Sequence, residues 1–277
     1  MYSLIWQKKK WVKNNMDEVS SKDFTVIAYD KIGQGPVVIL VDGALAYRSF
    51  SPMPELAKLL STDFTVVTYD RRGRGDSGNN KPYAVDREIE DIEALIDATG
   101  GSAYLYGVSS GGCLVLEAAI KLSGKVKKLA VYEAPYNSDE TALKDWRKYT
   151  NQLMKFLAEN RRGDSVSLFM AFVGTHLDQI DGMRKTPMWS MLEAVAPTLA
   201  YDASAMGMDR KVPVERVSHI TASTLVMHGG EGAPFMKQTA LTLSKVIPNA
   251  KFRTIEGQTH AVASEVIAPF LIEFFKS

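Results

Sequence analysis

From residue 24 onward, short β-branched runs alternate with longer stretches whose apolar residues recur at helical spacing. Strand and helix periods in turn predict a mostly parallel sheet covered on both faces by helices. The strands read as FTVIAYD (24–30), VVILVD (37–42), FTVVTYD (64–70), SAYLYGV (102–108), KLAVYEA (128–134), STLVMHG (223–229) and KFRTIEG (251–257). The turn-rich KIGQGP between the first two suits a hairpin. Helices are expected over 51–60, 84–99, 111–122, 235–247 and 262–275; in the second, Val85, Ile89, Ile92 and Ile96 mark one apolar face.

The alternation breaks once. Between Tyr136 and about Ala222 no strand pattern occurs, while Leu143, Trp146, Leu153, Phe156 and Leu157 repeat at helical spacing. The chain therefore divides into a core of residues 16–136 and 223–277 and a helical cap over 137–222. Later parts of the cap carry Met170, Met183, Met188, Trp189, Met191, Met206 and Met208, and methionine suits adaptable apolar surfaces. Most of these pack the insertion onto the core. A few, Trp189 and Met191 foremost, are expected to face a pocket above the carboxyl ends of the strands, where open α/β sheets bind ligands.

Composition narrows the partners. With 45% hydrophobic and 23% charged residues in 277, the chain is an ordinary globular protein, too apolar for disorder. A net charge of +1, with no basic and aromatic cluster in its body, argues against nucleic acid. The single cysteine, Cys113, allows no internal disulfide and no thiolate set for zinc, which fits a reducing compartment. The opening MYSLIWQKKKWVKNN has the reverse of a signal peptide's order, and no run of 18 apolar residues occurs, so the expectation is a cytoplasmic protein without a membrane span. Residues 1–15 read as a basic extension ahead of the fold.

The chemistry lies in two short segments. GVSSG (107–111) stands between the strand SAYLYGV and the helix beginning at 111, the strand–turn–helix setting that the G-x-S-x-G nucleophile elbow requires. Ser109 is the candidate nucleophile; the flanking glycines keep side chains out of a tight turn. IEGQTHAV puts His260 directly after the last strand and before the last helix, as candidate base. His176 and His219 lie in or beside the insertion, and His228 ends a strand; all three read as structural.

With these segments, VVILVDGALAYRSF and YDRRGRGDSG, the chain resembles the α/β-hydrolase superfamily over about 20–136 and 220–277. The resemblance implies an eight-stranded sheet with the cap inserted after strand 6, and triad order serine, acid, histidine. It makes Asp70, Arg72 and Asp76 a hydrogen-bonded scaffold. A serine at the elbow, where dehalogenases and epoxide hydrolases of this fold carry aspartate, implies acyl transfer.

Two departures matter. Asp42-Gly43 replaces the frequent His-Gly, so the oxyanion hole falls to the backbone N–H groups of Ala44 and Ser110, with Leu45 beside the substrate and Asp42 pointing away or partnered. The loop HGGEGAPF has Gly232 where many members place the acid; the acid is then either Glu133, at the end of the strand KLAVYEA, or Glu231. Glu133 is expected, because the sixth strand ends beside the seventh and Glu231 sits among glycines that fix it poorly. An acid after strand 6 and an Asp-Gly turn are two features shared with zearalenone-type lactone hydrolases.

The expected function is cofactor-free and metal-free hydrolysis of a carboxylic ester or lactone of a small, largely apolar molecule. A thioesterase, acyltransferase or C–C bond hydrolase would use the same triad, and a ligand-binding receptor or carrier could retain the fold.

Overall fold

The computed structural model describes residues 16–277; the basic segment 1–15 lies outside them. Eight strands, β1 (Asp17–Ser20), β2 (Val26–Ile32), β3 (Val37–Val41), β4 (Thr65–Tyr69), β5 (Ala103–Val108), β6 (Val126–Tyr132), β7 (Ser223–Gly229) and β8 (Ala250–Ile255), form one sheet. Their order is β1-β2-β4-β3-β5-β6-β7-β8. β1 and β2 run antiparallel to their neighbours, and the pairs from β4 to β8 are parallel.

Position in the sheet explains the strand sequences. β3, VVILV, is buried at every residue and paired with β4 and β5, so both faces and both edges demand a continuous apolar run. The outer strands β1 and β8 alternate more exposed with less exposed positions, as edges with a solvated side do. β1, with the sequence DEVS, has no apolar run, so the hydrophobic pattern carries no strand signal there.

The expected hairpin between residues 24–30 and 37–42 is not formed. β4 lies between β2 and β3, antiparallel to one and parallel to the other. The KIGQGP link instead spans the width of β4, whose first residue bonds to it: Thr65 N–H donates to the Pro36 carbonyl oxygen at 3.1 Å and its hydroxyl to that of Gly35 at 3.0 Å. A fully apolar β3 belongs in the sheet interior, and that need overrides the local turn signal.

Three helices, α1 (Met53–Leu60), α2 (Val85–Thr99) and α3 (Ser110–Lys121), precede β6. Between β6 and β7 come α4 (Glu140–Ala158), α5 (Arg162–Phe172), α6 (Leu177–Arg184), α7 (Met188–Val195), α8 (Leu199–Met206) and α9 (Val214–Val217), with no strand among the described residues. Helices α10 (Pro234–Val246) and α11 (Ser264–Lys276) follow β7 and β8. None is long and apolar enough to cross a membrane.

The pleat sends alternate residues to two apolar layers. Val38, Leu40, Val66 and Tyr106 pack with Leu56 and Leu60 of α1 and Leu271 and Phe275 of α11. Ile39, Val41, Val67 and Leu105 face the other way, toward Ile92 and Leu95 of α2 and Leu114 of α3. That second layer continues without a break into the inserted helices through Trp146, Leu153, Val166 and Leu199. The insertion thus shares the sheet's own core and seats directly on α3.

Candidate active site

β5 ends at Val108 and α3 begins at Ser110, leaving Ser109 alone on the turn with φ 57° and ψ −129°. Such a positive φ is strained for a residue with a side chain and persists only where its surroundings enforce it. Here the enforcement is close packing. A Cβ on Gly107 would lie 2.5 Å from the Gly111 carbonyl oxygen, and one on Gly111 would lie 2.4 Å from that of Val41. Ser109 N–H donates to the Tyr132 carbonyl oxygen at 3.0 Å, tying the elbow to the end of β6.

Glu133 follows β6 directly, also at positive φ (48°), and its N–H donates to the Met227 carbonyl oxygen of β7 at 3.0 Å. Its side chain is fully buried. Oε1 accepts from Gly229 N–H at 2.9 Å and Oε2 pairs with His260 Nδ1 at 2.7 Å. The Tyr132 hydroxyl donates to the Thr259 carbonyl oxygen, so β6 also anchors the loop that carries His260. With Nδ1 engaged by the carboxylate, Nε2 is the ring nitrogen left to take up a proton. Ser109 and His260 are not hydrogen-bonded to each other in this structure; such contacts often tighten only when substrate is bound.

Gly232 explains the relocated carboxylate. A Cβ there would stand 2.4 Å from Glu133 Oε1, so the Glu133 carboxylate occupies the space into which a residue at 232 would otherwise project. Glu231 is exposed, and its backbone N–H donates to the Gln258 carbonyl oxygen at 2.9 Å; its side chain makes no bond to His260. Gly232→Ala is accordingly expected to push the Glu133 carboxylate off His260 and cost about a hundredfold in turnover, the penalty of roughly 1 Å misplacement. Assay of the folded variant checks this; wild-type turnover would show that the close approach is harmless.

Ala44 is half-buried and Leu45, at φ 62°, buried, in the turn after β3. Asp42 just before them is buried and partnered: the Ser51 hydroxyl donates to its Oδ2 at 2.6 Å. Burial pushes the Asp42 carboxyl up to about 6, against the Ser51 bond and the charges of Arg74 and Arg71. The folded chain thus keeps a proton that the unfolded chain, near 3.8, releases. The associated stability is fully present below about pH 4 and is lost as pH rises through about 6, up to about 3 kcal/mol. Relative to wild type, Asp42→Asn should therefore gain stability between pH 4 and 7 in denaturant titrations. A difference independent of pH would contradict the charge penalty.

Beneath this turn lies a polar cluster that sequence reasoning did not assemble. Arg71 and Arg74, each 1% exposed, come from the loop after β4, and Asp202 from α8. Arg71 pairs with Glu88 through two bonds of 2.8 Å, and both arginines pair with Asp202. The run DRRGRGD was the only available signal; Asp202 lies in a helix without a motif, more than a hundred residues away in sequence. Asp70, Arg72 and Asp76 are scaffold: Asp70 accepts from the N–H groups of Arg48 and Asp76, Arg48 bonds Asp76, and Arg72 pairs with Asp91 and Asp23.

The remaining sequence candidates are dispersed. Trp189 is buried within the insertion, its indole N–H donating to Glu193 at 3.1 Å and Arg184 lying over its ring. Met191 is half-buried on the same helix. His228 is buried with Nδ1 against its neighbour's carbonyl oxygen and Nε2 against the Thr254 hydroxyl. Among the described residues no cluster of three or more His, Cys, Asp or Glu could hold a metal ion.

A family model described as alpha/beta hydrolase family matches residues 37–268. An alpha/beta hydrolase of known structure from Sphaerobacter thermophilus is similar at 48% identity over 94% of this chain and 100% of that one, with TM-score 0.83. A thermophilic esterase from Thermogutta terrifontis shares the fold at 20% identity, TM-score 0.70, over 95% of this chain and 98% of that one. An enol-lactonase from Burkholderia xenovorans does so at 17% identity, TM-score 0.69, over 94% of this chain and 100% of that one.

Proposed function

The chain belongs to the alpha/beta hydrolase family, and from that premise we propose that it is a serine hydrolase cleaving a carboxylic ester or lactone through an acyl-enzyme. The observation that carries the proposal is the 2.7 Å contact between His260 Nδ1 and a fully buried Glu133, beside a serine held at positive φ on a strand–helix turn. A buried carboxylate that fixes one imidazole nitrogen leaves the other to act as base, and supports the imidazolium that results.

In the proposed reaction His260 Nε2 removes the Ser109 proton as Oγ attacks the substrate carbonyl carbon. The tetrahedral oxyanion rests on the N–H groups of Ala44 and Ser110. As the intermediate collapses, the bond from the carbonyl carbon to the alkoxy oxygen breaks and His260 protonates that oxygen, which leaves as the alcohol or, in an opened lactone, stays tethered as a hydroxyl. Water, deprotonated by the same imidazole, attacks the acyl carbon; the bond to Ser109 Oγ breaks, the imidazolium returns its proton to Oγ, and the acid is released. The inserted helices above the sheet limit access of water and select the acyl and alcohol groups.

The test is a panel of matched aryl esters, lactones and thioesters with the purified protein. Ester or lactone turnover that exceeds thioester turnover supports the proposal. Faster thioester cleavage reassigns the bond, and a folded protein inert toward every substrate points to a binding protein on the same fold.

A further inference from the structure

We propose that Asp202, on helix α8 of the insertion, is the positioning residue of the oxyanion hole and holds both of its N–H donors in place. The inference rests on the hydrolase reading above and on three contacts of one buried carboxylate.

One contact reaches the first donor directly. The Ser110 hydroxyl donates to Asp202 Oδ1 at 2.7 Å, and Ser110 is the residue whose backbone N–H follows the nucleophile. The other two run through arginine. Arg74 Nη2 donates to both oxygens of Asp202 at 2.8 Å, and Arg71 Nη1 donates to Oδ1 at 2.7 Å. So oriented, Arg74 Nη1 donates to the carbonyl oxygens of Gly43 and Ala46, and Arg71 Nη1 to that of Asp42 at 3.2 Å.

The Gly43 carbonyl and the Ala44 N–H are two ends of one peptide unit. That unit is planar, so a guanidinium that fixes the oxygen also fixes the direction of the N–H on the opposite side. A charged donor on the carbonyl further polarises the peptide and makes its N–H the stronger donor. Asp202 therefore reaches Ala44 through Arg74 and Ser110 through its hydroxyl. Arg71 steadies the start of the turn.

Burial makes the arrangement rigid. Asp202, Ser110 and Arg71 are each 1% exposed and Arg74 likewise, so none of these groups has solvent as an alternative partner. Burial opposes the Asp202 charge, but Arg74, Arg71 and the Ser110 hydroxyl hold its carboxyl below the usual range. Together with Glu88 on the far side of Arg71, it balances two guanidinium charges with two carboxylates. The insertion thus supplies more than a cover. It contributes the anchor that sets where the negative charge of the transition state can rest, and the sheet and elbow by themselves lack it.

The test compares wild type with Asp202→Asn and Ser110→Ala. Asn keeps the shape but puts a donor against Arg74; Ala removes only the hydroxyl contact and leaves both arginine pairs intact, so it stays informative should the Asn variant fail to fold. Two rates are read: phosphonylation of Ser109 by a fluorophosphonate, whose phosphoryl oxygen takes the place of the oxyanion, and kcat on an aryl ester. Outright loss of one oxyanion donor costs about a hundredfold to a thousandfold, so misaimed donors should cost roughly tenfold to a hundredfold in both rates for Asp202→Asn and less for Ser110→Ala. KM should stay within a few-fold, and the acid limb of the pH profile should not move. Folded variants with wild-type phosphonylation and kcat overturn the proposal, as does a loss carried by KM or by a displaced acid limb. A wild-type protein that is itself never labelled removes the hydrolase reading and this inference together; labelled wild type with equally labelled variants removes this inference alone.

Discussion

Ser109→Ala is expected to abolish ester turnover, by at least about a thousandfold, in a protein that still folds. The strain at φ 57° is the same for alanine as for serine, and the turn is enforced by Gly107 and Gly111 against neighbouring backbone, which the substitution leaves untouched. The hydroxyl makes no hydrogen bond that the fold needs. What disappears is the only nucleophile at the tip of the elbow, and with it the covalent step. Assay of the folded variant at saturating ester decides it: turnover near that of wild type would show that the chemistry does not pass through Ser109.

Glu133→Gln is the second large effect, with a loss on the order of a thousandfold or more, while Glu231→Gln should cost no more than a few-fold. The glutamine oxygen can still accept from Gly229 N–H, so the fold keeps that bond. Its amide then faces His260 Nδ1 with a donor, and the imidazole must turn to the tautomer that carries its proton on Nε2. A ring in that form cannot take the serine proton, and no negative charge supports the imidazolium. Glu231 is solvent-exposed and bonded through its backbone alone, which is why its removal matters little. The opposite ranking in two folded variants would move the acid into the loop after β7.

Ser109 was visible in local pattern, and the reason is physical. An elbow compresses its requirements into five adjacent positions, because the close approaches at Gly107 and Gly111 are to the backbone of the turn and of the neighbouring strand. Buried parallel strands such as β3 write themselves as unbroken apolar runs, and α2 as a repeating apolar face. Glu133 was legible by a different route: the blank at Gly232 is informative once the sixth and seventh strands are known to end side by side.

Other features depended on partners that no local window contains. DEVS is a strand only because β2 pairs with it, and the link after β2 is not a hairpin only because β4, more than thirty residues downstream, occupies the gap. The indole of Trp189 donates to Glu193 within its own helix and lies under the Arg184 guanidinium, partners that residue type cannot foretell. Asp202 is the extreme case. Its function depends on Arg71, Arg74 and Ser110, contributed by two other segments of the chain, and nothing around it in sequence announces a buried carboxylate.

The most direct measurement is mass-spectrometric mapping of the folded protein after exposure to a fluorophosphonate. A nucleophile activated by His260 and Glu133 predicts one adduct per chain, on Ser109, and none in the Ser109→Ala variant. A folded wild-type protein that stays unmodified, or that carries its adduct on another residue with Ser109 free, would contradict it.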